Sequence, residues 1–188
     1  QAVMDQTQHG AIGAQAADAG LSHSAVREIA RHRHDPARAA RLRRAGLGRV
    51  NVSLDTLDRE KFKRITRRDG LADVLAGIRA AKACGLTPLK VNVVAMRGVN
   101  DDEFLDFADF AERESVEVRF IEFMPSREEA WRESDLISAE EILRTLRGRY
   151  HLTPVREDAF AGPSRTFSLP GGGRVGVISP LSDHFCDR

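Results

Sequence analysis

From residue 49 the chain alternates. Arg49-Val-Asn-Val-Ser-Leu-Asp55 sets Val50, Val52 and Leu54 on one face and Asn51, Ser53 and Asp55 on the other, the period of two that marks a strand. A helix over about 36–45 precedes it: Asp35 has the character of an N-cap, Pro36 suits the first helical position, and Gly46 is a natural stop after Leu42 and Ala45. A helical turn follows near 60–65. Leu71, Val74, Leu75, Ile78 and Ala81 then fall on one stripe, predicting a helix over 71–83 that ends at Gly85. The segment 88–96 reads as a second strand, with Lys90 and Asn92 opposed to Leu89, Val91 and Val93. Asn100-Asp101 suggests the cap of a third helix running to about residue 113, with Phe104, Phe107, Ala108 and Ala111 as its buried side. Residues 116–123, dense in β-formers, make a third strand.

The repeat then breaks into a polar stretch that contains Trp131. Ser138-Ala139-Glu140-Glu141 has capping-box spacing and opens a helix with Ile142, Leu143 and Leu146 as its apolar side. Short strands are predicted over 151–155, 165–169 and 174–178, the last two joined by a turn at Pro170-Gly171-Gly172-Gly173. That turn is followed by a strand rather than a helix and lacks the Lys-Ser/Thr pair of a phosphate loop, so it reads as a plain hairpin.

Strand, helix, strand, helix, strand with short joins implies parallel βαβ units with right-handed crossovers, hence an α/β barrel or open sheet. Parallel strands are usually apolar on both faces. Polar residues on one face of two successive strands therefore suggest a shared interior that binds something, near the carboxyl ends where such sites collect. The plainer alternative is that Asn51, Ser53, Lys90 and Asn92 form a buried hydrogen-bond network.

Composition narrows the partners. The 188 residues are 41% hydrophobic and 30% charged, and the formal net charge is +1, which calls for neither a nucleic-acid duplex nor an anionic membrane. No apolar run approaches the roughly 18 residues of a membrane span, and the polar, Gln-rich start lacks the layout of a signal peptide, so a cytoplasmic location is expected. Residues 1–34 read as an unassigned leader, with a short helix over 24–30 and with His23, His32 and His34 as a solvated cluster rather than a metal site. The two cysteines, Cys84 and Cys186, form no CxxC set. A disulfide scaffold is not expected, and two thiols are fewer than the three or four an iron–sulfur cluster takes from protein.

Five segments in order carry a resemblance. Arg49 to Asp55, Lys90-Val-Asn-Val-Val94, Arg97-Gly-Val-Asn-Asp-Asp-Glu103, Val118-Arg-Phe-Ile-Glu-Phe-Met-Pro125 and Ile178-Ser-Pro-Leu-Ser-Asp-His-Phe-Cys186 together resemble the molybdenum cofactor biosynthesis protein A family, part of the radical S-adenosylmethionine superfamily. The likeness covers about residue 40 to the end. It implies a partial (βα) barrel of the radical S-adenosylmethionine type with a short β-rich C-terminal extension, and GTP 3′,8-cyclase activity. In that reaction a 5′-deoxyadenosyl radical takes hydrogen from the ribose 3′ carbon of GTP, and that carbon attacks C8 of guanine to give 3′,8-cyclo-7,8-dihydro-GTP. The implied cofactors are S-adenosyl-L-methionine and two 4Fe-4S clusters. Implied partners are GTP, a homodimer mate, and a downstream cyclic pyranopterin monophosphate synthase acting on the product, without nucleic acid or membrane.

By the same resemblance, Ser53 and Met124 match S-adenosylmethionine contacts, Lys90 matches a GTP-binding lysine, Arg119 is a possible substrate or cofactor contact, and Cys186 matches a ligand of the second cluster. Cys84 fits no motif and reads as packing at a helix end. The chain departs from the family where the CxxxCxxC triplet and the Gly-Gly-Glu-Pro motif are expected, and neither occurs. The expectation is thus a piece truncated at both ends, with 35–148 a partial barrel and 149–188 the start of the cluster-binding extension. Both clusters would be incomplete and no catalytic residue can be named. The chain alone is then expected to be inactive, and the alternative is a non-catalytic remnant or nucleotide-binding fragment.

Overall fold

A computed structural model describes residues 36–124, 136–156 and 163–182. The leader 1–34, Asp35, Pro125, Trp131 and Cys186 lie outside the described residues. Helix α1 spans Pro36–Arg44 and is followed by Gly46 at φ 96°, a left-handed conformation open to glycine at little cost. Strand β1 is Val50–Ser53 and helix α2 is Arg59–Thr66, whose N-cap Asp58 accepts the Lys61 N–H at 2.7 Å. Helix α3, Leu71–Ala83, matches the predicted stripe: Leu71, Ile78 and Ala81 are buried, while Val74 and Leu75 pack partly buried against the core.

Strand β2 is Leu89–Ala95, helix α4 Phe104–Glu114 and strand β3 Glu117–Glu122. Helix α5 covers Ala139–Arg147, and its N-cap Ser138 accepts the Glu141 N–H at 3.2 Å, as the capping-box spacing predicts. Three short strands end the described chain: β4 Thr153–Pro154, β5 Arg165–Ser168 and β6 Arg174–Ile178.

All six strands form one sheet in the order β1-β2-β3-β6-β5-β4. The pairs β1/β2, β2/β3 and β3/β6 are parallel, whereas β6/β5 and β5/β4 are antiparallel. Helices α3, α4 and α5 cover one face, on which Val52, Val91, Val93, Val118, Phe120, Val175 and Val177 are buried. Phe104 and Phe107 of α4 meet Phe120 edge-on, with ring centroids 5.3 and 6.1 Å apart. Each such side chain contributes roughly 1.5–3 kcal/mol by leaving water. The β5–β6 turn docks on the end of α4: Gly171 donates its N–H to Glu112 Oε1 at 2.7 Å, and Gly173, at φ 72°, lies so close that a Cβ would meet the Ala111 carbonyl oxygen.

Two expectations change. Asn100 and Asp101 do not cap the third helix, which begins at Phe104 with Glu103 at the cap position and no side-chain cap bond. Asn100 is instead fully buried in the turn before it, where its amide finds three backbone partners. Cys84 caps the carboxyl end of α3 and is half-buried rather than buried.

Candidate functional site

The strand register decides which polar residues share a face. Residues paired across parallel strands point to the same side of a sheet. One row runs Asn51, Lys90, Glu117, Arg174; the next, nearer the carboxyl ends, runs Ser53, Asn92, Arg119, Gly176. Both rows lie opposite the apolar face covered by helices. Lys90, Glu117 and Arg119 are each 8% exposed, and Arg119 donates Nε–H to Glu117 Oε1 at 2.5 Å. Ser53 is half-buried. The Asn92 amide oxygen is buried with no hydrogen-bond partner, a costly condition unless a ligand or water donates to it.

The structure therefore brings Ser53, Lys90 and Arg119 onto one face. Met124 is not carried there by the register: it lies two residues past the end of β3 and is 48% exposed.

Around the carboxyl ends of β1 and β2 the loops are stitched together. Asp55 Oδ1 accepts the Val94 N–H at 2.9 Å, and Asn100 Nδ2 donates to the carbonyls of Asp55 and Val94 at 2.7 and 2.8 Å. Asn100 Oδ1 in turn accepts the Met96 N–H at 2.8 Å. Burial pushes the Asp55 carboxyl above its ordinary value of 3.8, and the Val94 N–H only partly offsets this. The Glu103 carboxylate accepts from Thr56 Oγ1 at 2.7 Å, from the Leu57 N–H at 2.7 Å and from Lys61 Nζ at 3.0 Å. Helix α2 and the two loops are thus held by one buried carboxylate.

Glu122 does the same at the end of β3. Its side chain, 1% exposed, accepts the backbone N–H groups of Ala139, Leu181 and Ser182 at 2.9, 3.1 and 3.0 Å, and the Ser182 hydroxyl at 2.5 Å. Glu117, Asn100, Glu103 and Glu122 were not singled out by the sequence pattern as site residues. A signal existed for one of them: Glu122 falls in phase with Val118 and Phe120, so a carboxylate stands where an apolar residue belongs, and a buried carboxylate needs donors. Asn100 and Asp101 have the character of a helix cap, and local sequence does not show that two strand ends converge on Asn100.

Comparison with known proteins agrees with this architecture. Residues 26–111 match the Radical SAM superfamily, and residues 116–188 match Molybdenum Cofactor Synthesis C. A protein of Moorella thermoacetica named GTP 3′,8-cyclase is 50% identical over 148 residues, 78% of this chain and 46% of that protein. Proteins of the same name are 48% identical in Geobacter sulfurreducens, over 80% of this chain and 47% of that one, and 40% identical in Corynebacterium glutamicum, over 79% and 41%. The chain spans a little under half the length of these curated relatives.

A parallel sheet with a polar face, matched to that superfamily over α1 to α4, defines the class: the chain is a radical S-adenosylmethionine superfamily protein. Its membership is narrower than that. The second match, together with the 40–50% identity to proteins named GTP 3′,8-cyclase, puts it in the molybdenum cofactor biosynthesis protein A family.

The superfamily implies S-adenosylmethionine and iron–sulfur chemistry. The unpartnered Asn92 oxygen beside Ser53 fits a ligand with hydroxyl or amine donors, as S-adenosylmethionine has. A cluster has no such fit among the described residues: Cys84 is their one cysteine, and no group of three His, Cys, Asp or Glu side chains gathers there. No helix of the described residues is long and apolar enough to cross a membrane.

Proposed function

We propose that this chain is the part of a GTP 3′,8-cyclase that presents strand-borne contacts to S-adenosylmethionine and GTP, within molybdenum cofactor biosynthesis. The observation that carries the reading is the meeting of Ser53, Asn92, Lys90 and Arg119 on one sheet face, in a chain that is 40–50% identical over about four fifths of its length to proteins of that name. Ser53 and Asn92 supply a hydroxyl and an amide oxygen to the ribose or methionyl group of the cofactor, and Met124 packs against its adenine. Lys90, with Arg119 one row away, supplies positive charge to the triphosphate of GTP, where charge-assisted hydrogen bonds are strongest.

Held by Ser53 and Asn92, S-adenosylmethionine would supply, on one-electron reductive cleavage by an iron–sulfur cluster, the 5′-deoxyadenosyl radical for removal of the ribose 3′ hydrogen. What these residues do is bind and orient the two ligands beside each other and keep water from the face they line. The reaction itself, the joining of the ribose 3′ carbon to C8 of guanine, belongs to the whole protein. Two cysteines in 188 residues are fewer thiolates than even one cluster takes. By the family resemblance, Cys186 is a candidate ligand of the second of two 4Fe-4S clusters. On the family resemblance, residues 35–148 are assigned to the barrel part and 149–188 to the cluster-binding extension. On the family resemblance, our reading of the whole enzyme is a cytoplasmic homodimer that passes its product to a cyclic pyranopterin monophosphate synthase.

Calorimetric titration of the chain with GTP and with S-adenosylmethionine tests this. Lys90→Ala is expected to weaken GTP binding by about 1–3 kcal/mol, the loss for a hydrogen bond to a charged group, and to leave S-adenosylmethionine binding unchanged. Equal GTP affinity in the variant removes Lys90 from the site, and no binding of either ligand to the unaltered chain defeats the reading.

A further inference from the structure

Three charged side chains are buried on the polar face at once. Lys90, Glu117 and Arg119 lie on β2 and β3, each 8% exposed, and Glu117 is in register with Lys90 on one side and with Arg174 on the other. The same carboxylate takes the Arg119 Nε–H at 2.5 Å from two residues along its own strand. Among the described residues of these two rows, Glu117 is thus the one anion beside the buried cations Lys90 and Arg119 and the exposed Arg174. Without it, like charges on adjacent strands repel, and the arginine loses a directional bond to the edge of its guanidinium.

We propose that Glu117 is a positioning residue for phosphate recognition: it aligns the Arg119 guanidinium and keeps the cations of neighbouring strands close enough to grip a polyphosphate together. This rests on the reading of Lys90 and Arg119 as an anion site. An opposite role is equally definite in its consequence. If Glu117 merely competed with the phosphate for these cations, removing its charge would tighten anion binding, because one repulsive charge leaves the site. The two roles predict changes of opposite sign.

The sign is read by titrating the 188-residue chain with inorganic tripolyphosphate, which has the charges of the nucleotide but neither base nor ribose. Glu117→Ala is expected to bind it at least fivefold more weakly than the unaltered chain, although the variant has one negative charge fewer. Glu117→Gln keeps an oxygen acceptor for Arg119 Nε–H and is expected to recover at least half of that loss on a logarithmic scale. Arg119→Lys keeps the charge without the Nε donor and gives a second route to the same loss where Glu117→Ala does not fold by far-UV circular dichroism. Equal or tighter binding by Glu117→Ala, a glutamine variant as weak as the alanine one, or an undiminished Arg119→Lys overturns the proposal. The underlying reading has its own marker. Should the unaltered chain not bind tripolyphosphate, or should Lys90→Ala bind it as well, the anion site itself is wrong and the role of Glu117 falls with it. Should those two behave as expected while Glu117→Ala matches the unaltered chain, only the positioning role is lost.

Discussion

Asp55 shows how a single side chain couples the candidate site to pH. Its carboxyl is drawn into the seam between β1 and β2, where burial disfavours the charge and one backbone N–H only partly restores it. Its folded value is therefore above the unfolded one, so between the ordinary 3.8 and that raised value the folded chain binds more protons than the unfolded chain. Stability contributed by this group is present below the unfolded value and declines as pH rises through that window. Asp55→Asn retains an oxygen for the Val94 N–H and cannot ionise. Urea unfolding is expected to find the variant more stable than the unaltered chain at pH 7, with the gain shrinking toward pH 4. A gain independent of pH, or none at pH 7, would show that the carboxylate is not strained by burial.

At the scale of elements, helix termini are fixed by different means. Helix α5 is set by its own sequence, since Ser138 caps the Glu141 N–H and Ile142, Leu143 and Leu146 fill the apolar side. Ser138→Ala is expected to cost about 0.5–2 kcal/mol in urea unfolding, the range for loss of such a cap, and Ser138→Asn to restore most of it. Helix α4 has no such cap, because Asn100 is spent on the carbonyls of Asp55 and Val94 and on the Met96 N–H. Its start is held by Phe104 and Phe107 packing on Phe120. Stripes and alternation made α3, α5 and the strands β2 and β3 legible, because period and burial are local properties. The role of Asn100 was illegible, for it depends on where a second strand ends.

Across the whole molecule, the carboxylate of Glu122 joins parts far apart in the chain: the end of β3, the first residue of α5 and the residues after β6. Glu122→Gln presents an amide N–H₂ where an oxygen accepted, leaving at least one buried N–H unpaired, and is expected to cost about 1–3 kcal/mol. Hydrogen exchange is expected to quicken at Leu181, Ser182 and Ala139 together. Acceleration at one of them alone would show that the carboxylate does not act as a common anchor.

The parallel β–α–β progression and the split of each early strand into a polar and an apolar face were fixed by sequence, because alternation and helical stripes are written in neighbouring residues. So was the family, carried by five ordered segments. The joining of β6 to β3 in parallel, which makes the late strands part of the same sheet, came only from the tertiary structure. So did the register that sets Ser53 beside Asn92, Lys90 beside Glu117 and Asn92 beside Arg119. Register is a choice among pairings of distant segments, settled by the packing of α3, α4 and α5 on the apolar face, and no single strand contains the information to make it.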